Sequence, residues 1–158
     1  MENLLTRVPV GTVHAICTLL RLDANELARR CAFGFDPIEP GVPGQFGMDP
    51  TGRKQFKITV CPQACKWNRE RPWTTAPAYN VLVHELTHYR QTITGKMAPF
   101  DGRRILWCGR PADTSFKTHA EYLNFPWERE ADEESRTIVN QLISCGLVRL
   151  DPHNQYGF

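Results

Sequence analysis

Val81-Leu82-Val83-His84-Glu85-Leu86-Thr87-His88-Tyr89-Arg90-Gln91 lies near the middle of the chain and carries His-Glu-x-x-His inside a run of helical period. On an α-helix, residues four apart share one face, one turn above another. His84 and His88 can therefore aim both imidazoles at one metal ion, the ligand arrangement of a zinc site. Glu85 is placed beside them to accept a proton from an activated water. The flanks support the helix. Thr74 or Thr75 can cap it, Pro77 suits its first turn, and Gly95 stops it. The spacing predicts a helix from about Ala76 to Thr94 that buries Val81, Leu82, Leu86, Tyr89 and Ile93.

A zinc site needs at least one further protein ligand, and a catalytic one leaves a position for water. Directly downstream, Gln91 and Thr94 stand where a metzincin would have Gly and His, so that class is excluded. The second long apolar period begins near Asn124-Phe125-Pro126-Trp127-Glu128, with Pro126 in the first turn and acids crowding the helix start. Trp127, Ala131, Ile138, Leu142 and Cys145 share its inner face, and Gly146 ends it. Glu128-Arg129-Glu130-Ala131-Asp132 puts carboxylates one turn apart at 128 and 132. Glu128 can be the third ligand while Asp132 holds the far ring nitrogen of His84 and so sets its tautomer. Ala131 is small and lets the two helices approach. Glu130 points to another side of this helix, and His119 is a further third-ligand candidate.

His84-Glu85-x-x-His88 followed by Glu128-x-x-Ala131-Asp132 resembles the gluzincin pattern, in which a His-Glu-x-x-His helix is completed by a glutamate on a second helix. The small size is similar to that of minimal single-domain IrrE/ImmA-like metallopeptidases of phages and bacteria. The Glu-x-x-Ala-Asp form is also similar to that of HtpX-type peptidases, which are membrane proteins. The resemblance covers the two motif helices and does not reach residues 1–50 or 96–120. It implies an α+β, zincin-like domain with a metal-site helix, a glutamate-bearing ligand helix and a short β-sheet, spanning residues 1–158 as one unit. It implies Zn2+ as cofactor, His84, His88 and Glu128 as ligands, Glu85 as general base and Asp132 as support to a ligand. The implied activity is hydrolysis of a peptide or protein substrate. Tyr122, His119 and Arg136 are candidates to hold the oxyanion, and Tyr122, just before the ligand helix, is preferred. The alternative is a regulatory or structural zinc protein without proteolytic activity, and Glu85 argues against it because a structural site needs no base.

Elsewhere the chain reads as an ordinary globular sequence. Of its 158 residues, 41% are hydrophobic and 23% charged, which excludes disorder and a coiled coil. A net charge of +2 gives no ground for a nucleic-acid partner. No apolar run approaches the ~20 residues of a membrane span, and the N-terminus lacks signal-peptide character, so a cytoplasmic location is expected. The six cysteines are then thiols. Cys17, Cys31 and Cys145 are expected in apolar helical surroundings, and Cys61, Cys65 and Cys108 are weighed as ligands of a second metal. Residues 9–21 read as a first helix, and Asp23-Ala24-Asn25-Glu26 as a capping box opening a second one to about Ala32. A helix-turn-helix is ruled out by Phe33 to Pro40, which cannot supply a recognition helix. Four prolines and four glycines make residues 37–52 a loop without regular structure, with Phe46 and Met48 packed somewhere. Phe56, Ile58 and Val60 alternate in a half-buried strand over 55–61, whose edge, if exposed, can bind an extended peptide. Residues 96–117 show no period and read as loop, apart from a short element at Ile105-Leu106-Trp107. The tail from Leu147 is expected to cover the core.

Overall fold

Two long helices form the frame, and each begins and ends where its local chemistry requires. In the computed structural model, which describes residues 1–36, 39–61 and 72–150, the first four elements are α1 (Glu2–Leu5), α2 (Val10–Leu20), α3 (Ala24–Arg30) and β1 (Cys31–Gly34). Then come β2 (Gly44–Met48), β3 (Phe56–Val60), a 3-10 turn (Pro72–Thr74) and α4 (Ala76–Ile93). The chain closes with β4 (Met97–Asp101), β5 (Arg104–Trp107), β6 (Arg110–Asp113), α5 (His119–Leu123) and α6 (Pro126–Ser144). The fold is α+β, with two three-stranded sheets.

Helix α4 carries Pro77 in its first turn and ends at Gly95, whose φ of 72° only glycine adopts without strain. The expected threonine cap is not made. Thr75 bears no side-chain cap bond, and the Arg149 carbonyl accepts the Ala76 N–H at 3.1 Å instead. The residues after α6 thus return to the start of α4, where Val148 is buried as expected of a covering tail. The rest of that tail, 151–158, lies outside the described residues. Leu82, Leu86 and Tyr89 are buried as expected, whereas Val81 and Ile93 are half-buried.

Helix α6 lies against α4 along its inner face. Trp127, Ala131, Ile138, Val139 and Leu142 are buried, and Ala131 is fully so, leaving room for the close approach. Arg90 of α4 and Glu134 of α6 pair at 2.9 Å across the same contact. Cys145 is exposed at the helix end, not part of the core, while Cys17 and Cys31 are buried. Among the described residues, no helix is long and apolar enough to cross a membrane.

The first sheet corrects three expectations. Its order is β1-β3-β2, with β1 parallel and β2 antiparallel to β3. The alternating strand is therefore central, both edges paired, and cannot accept an extended partner. Residues 44–48, expected to be loop, form β2, with Phe46 opposite Ile58 and Gly44 opposite Val60. Two glycines in five residues hide a strand because they carry no alternating side chain. Phe46 does pack, against Phe56 and Tyr89 at ring distances of 5.4 and 6.3 Å, but Met48 is 70% exposed. The second helix ends at Arg30, and Cys31-Ala32 open β1 instead of continuing it. Its capping box holds, with Asp23 accepting the Glu26 N–H at 2.8 Å.

The second sheet, β4-β5-β6, replaces the loop expected over 96–117. Its turns explain it. Asp101 accepts the backbone N–H groups of Arg103 and Arg104, both at 2.9 Å, in the first turn. The second is a two-residue hairpin at Cys108-Gly109, with φ of 50° and 78° between the paired Trp107 and Arg110. None of its residues is fully buried, so no alternating pattern marks it in the sequence. Trp107 anchors the sheet to the start of α6 by packing on Trp127 at 6.0 Å.

Candidate metal centre and cleft

His84 and His88 project from one face of α4 toward Glu128 on the first turn of α6. The three offer ligand atoms that all lie within 4.8 Å of one another, a group that can hold a metal ion. His84 Nε2 is 3.1 Å from one Glu128 oxygen, and His88 Nε2 is 3.4 Å from the other. The two Nε2 atoms are 3.0 Å apart. Glu128 is 4% exposed, so this meeting of groups takes place largely out of water.

The far side of each imidazole fixes what the near side is. His84 Nδ1 lies 2.9 Å from the Asp132 carboxylate, which can only accept, so Nδ1 carries the proton. His88 Nδ1 lies 2.9 Å from Gln91 Oε1. The Gln91 amide nitrogen donates to the Trp127 carbonyl at 3.0 Å, which leaves Oε1 as the atom facing His88. His88 therefore also carries its proton on Nδ1. Neutral imidazoles in these tautomers present two Nε2 lone pairs to each other and to a carboxylate. Three acceptors facing one another with no donor between them form a cation site. The donor set, two imidazoles and a carboxylate, fits a divalent metal.

In the metal-free chain a proton on Nε2 takes the place of that cation, and the groups shift accordingly. Burial pushes the Glu128 carboxyl up, but its hydrogen bonds to His84 and His88 and their charge outweigh burial and bring it down to about 2. Burial works to lower His88, yet the Glu128 hydrogen bond and charge, with Glu85 and Gln91, raise it above its ordinary value. Glu85 is held above the usual carboxylate range, first by burial and then by the Glu128 charge, against the opposing pull of both histidines.

Glu85 is fastened in place by β2, an element the sequence reading missed. The Phe46 backbone N–H lies near enough to its carboxylate to oppose the effect of burial. Gly44 passes so close that a Cβ there would lie 2.7 Å from Glu85 Oε1 and 2.5 Å from Val81 Cγ1. Gln91 was missed as well, although its position three residues after His88 puts it on the same helix face. Of the other sequence candidates, Tyr122 is at the site, lining the same cleft as Glu128. Burial first, then the Glu128, Glu85 and Asp132 charges, push its phenol far up, so it remains a neutral O–H donor. Glu130 turns away and pairs with Lys96. His119 is exposed and stacks on Tyr122 at 6.1 Å, outside the ligand group. Arg136 is exposed, and Asp132, offered to it by the sequence, is used by His84. Among the described residues no other cluster of His, Cys and acidic side chains forms, so Cys61 and Cys108 show no second metal site. Cys65 lies outside the described residues.

A cavity of about 700 Å³ opens over His84, Glu85 and Glu128, and a second of about 200 Å³ adjoins His88 and Glu128. Gly44, Glu85, Tyr122 and Glu128 line both, so the ligand group sits at the waist of one cleft. Comparison of the chain with protein-family models, with curated proteins and with solved structures found no match. The structure by itself supports a His84, His88 and Glu128 group that can hold a metal ion.

Proposed function

We propose that this chain is a zinc-dependent metallopeptidase of gluzincin type. One observation carries the reading: two imidazoles with their tautomers set by Asp132 and Gln91 converge with Glu128 on a single point, and the buried Glu85 stands beside it. A purely structural site has no use for that fourth group. His84, His88 and Glu128 would hold zinc, which supplies Lewis acidity by acidifying water and polarising the scissile carbonyl. Glu85, packed against Gly44 of β2, takes the proton of the attacking water and returns it to the leaving amine. Tyr122, kept protonated by its burial and acidic neighbours, supplies an O–H donor to the oxyanion. The cleft continues on both sides of this point, and a polypeptide crossing it is the substrate the shape suits.

The test is Glu85→Gln, which keeps the size and hydrogen-bonding capacity of the side chain but removes the base. It is expected to bind zinc like the parent, measured by elemental analysis, and to lose peptide hydrolysis by at least about 100-fold. Equal hydrolysis by both proteins would sink the mechanism. Stoichiometric zinc with no hydrolysis by the parent would favour a regulatory or structural role.

A further inference from the structure

The second sheet, β4-β5-β6, meets the cleft at one corner. Met97 of β4 lines the smaller cavity together with His88, Trp127 and Glu128. Residues directly opposite one another on neighbouring strands share a face of the sheet. Met97 is opposite Trp107, and Trp107 is opposite Arg110, so these three form a row that starts at the cavity and crosses the sheet. The next row on the same face is Pro99, Ile105 and Ala112. Arg103 continues the alternation two residues before Ile105, and its carbonyl accepts the Thr114 N–H at 3.0 Å.

Charge is sorted between the two faces. The acids of this part of the chain, Asp101 and Asp113, are both opposite Arg104 and share the other face with it. Arg104 pairs with Asp101 at 2.6 Å. Arg103 and Arg110 are left on the face that begins at Met97. Both are exposed, and neither makes an ion pair. The floor between them is apolar and only partly covered, with Ile105 and Ala112 half-buried and Pro99 exposed. The edges do not invite a further strand, because Pro99 and Pro111 on the two edge strands lack the N–H that a ladder needs. What this sheet binds therefore lies across its face. An apolar floor flanked by unpaired guanidinium groups fits an acidic chain.

We propose that a polypeptide substrate leaving the cleft past Met97 runs across this face, and that Arg103 and Arg110 pair with Asp or Glu side chains on it. The sheet is then a docking surface that selects substrates with an acidic stretch on one side of the cleaved bond. Arg110 stands two strand spacings from Met97, about 10 Å, which an extended chain covers in about three residues. The proposal rests on the peptidase reading above and narrows its substrate class.

The probe is a library of peptides blocked at both ends, digested by the zinc-loaded full chain and read by mass spectrometry, with Glu85→Gln as the blank. Glu85-dependent cuts are expected with Asp or Glu enriched a few residues away, always on the same side of the bond. Absence of any Glu85-dependent cut would overturn the peptidase reading and this proposal with it. Cuts without an acidic preference would overturn the proposal alone. The best-cut peptide is then compared with a version carrying Gln for Glu and Asn for Asp. The ratio of kcat/KM for the acidic peptide to that for the neutral one is expected to fall about tenfold in the Arg103→Glu/Arg110→Glu protein, and to fall for the parent at high salt. A ratio that the double reversal leaves unchanged, the result a merely structural role for the arginines gives, would refute the docking surface. Binding to zinc-loaded Glu85→Gln is read last by fluorescence anisotropy, with the acidic peptide expected to bind more tightly than duplex DNA. Tighter binding of the DNA, lost on the double reversal, would overturn the assignment to polypeptide.

Discussion

Gly44→Ala places a methyl group at the tightest point between β2 and the metal-site helix. Its Cβ would lie 2.5 Å from Val81 Cγ1, 2.7 Å from Glu85 Oε1 and 3.1 Å from Glu85 Cγ. Ordinary carbon contacts need about 3.5–4.0 Å, so the strand and the helix must part by roughly 1 Å, or Glu85 must turn aside. The strand has little freedom to give. Gly44 is paired to Val60, and the neighbouring Pro43 carbonyl accepts the Cys61 N–H at 2.7 Å. Overpacking of this kind costs about 1–3 kcal/mol of stability. A displacement of about 1 Å in a catalytic group costs about 100-fold in rate. Gly47→Ala is the matched control on the same strand, because nothing lies within 4 Å of a Cβ there. Its stability should change by no more than about 0.5 kcal/mol. Peptide hydrolysis, thermal unfolding and zinc content of the two variants are compared side by side. Gly44→Ala is expected to lose about 100-fold in kcat and several degrees in Tm, with zinc content retained. If the two variants are indistinguishable, β2 does not hold Glu85 and the reasoning about that strand is wrong.

Gln91→Leu removes the acceptor that sets the His88 tautomer and the tie to the Trp127 carbonyl. Zinc affinity, measured by competition with a chromogenic chelator, is expected to fall about 10–100-fold, and unchanged affinity would show that the tautomer is set otherwise. Thiol alkylation of the native protein should mark Cys108 and Cys145, which are exposed, and spare Cys17 and Cys31. Burial pushes those two thiols up to about 11 and about 12, so they lack both access and thiolate character. Rapid native labelling of Cys31, located by peptide mapping, would contradict its place in the core.

The metal group was legible because its chemistry is periodic. His84, His88, Glu128 and Asp132 all follow from one-turn spacings on two strongly patterned helices, and the structure brings them together. Glu130 was separable from Glu128 for the same reason, and its pairing with Lys96 agrees. What escaped were elements whose signal is not side-chain period. Strand β2 is written in glycines and packs on Glu85 at Gly44, where the contact needs the absence of a side chain. The β4–β6 sheet has no fully buried residue and is marked only by its turns at Asp101 and at Cys108-Gly109. Helix α5 is five residues long with none buried, below the length at which a period can be read. The cap of α4 comes from Arg149, a residue more than seventy positions away, and no local pattern announces it.

The central claim is tested most directly by a crystal structure of the zinc-loaded chain. The metal is expected on Nε2 of His84, Nε2 of His88 and the Glu128 carboxylate, with a solvent-derived fourth position and Asp132 and Gln91 still on the Nδ1 atoms. Four protein ligands around the metal, or a third ligand other than Glu128, would contradict the account.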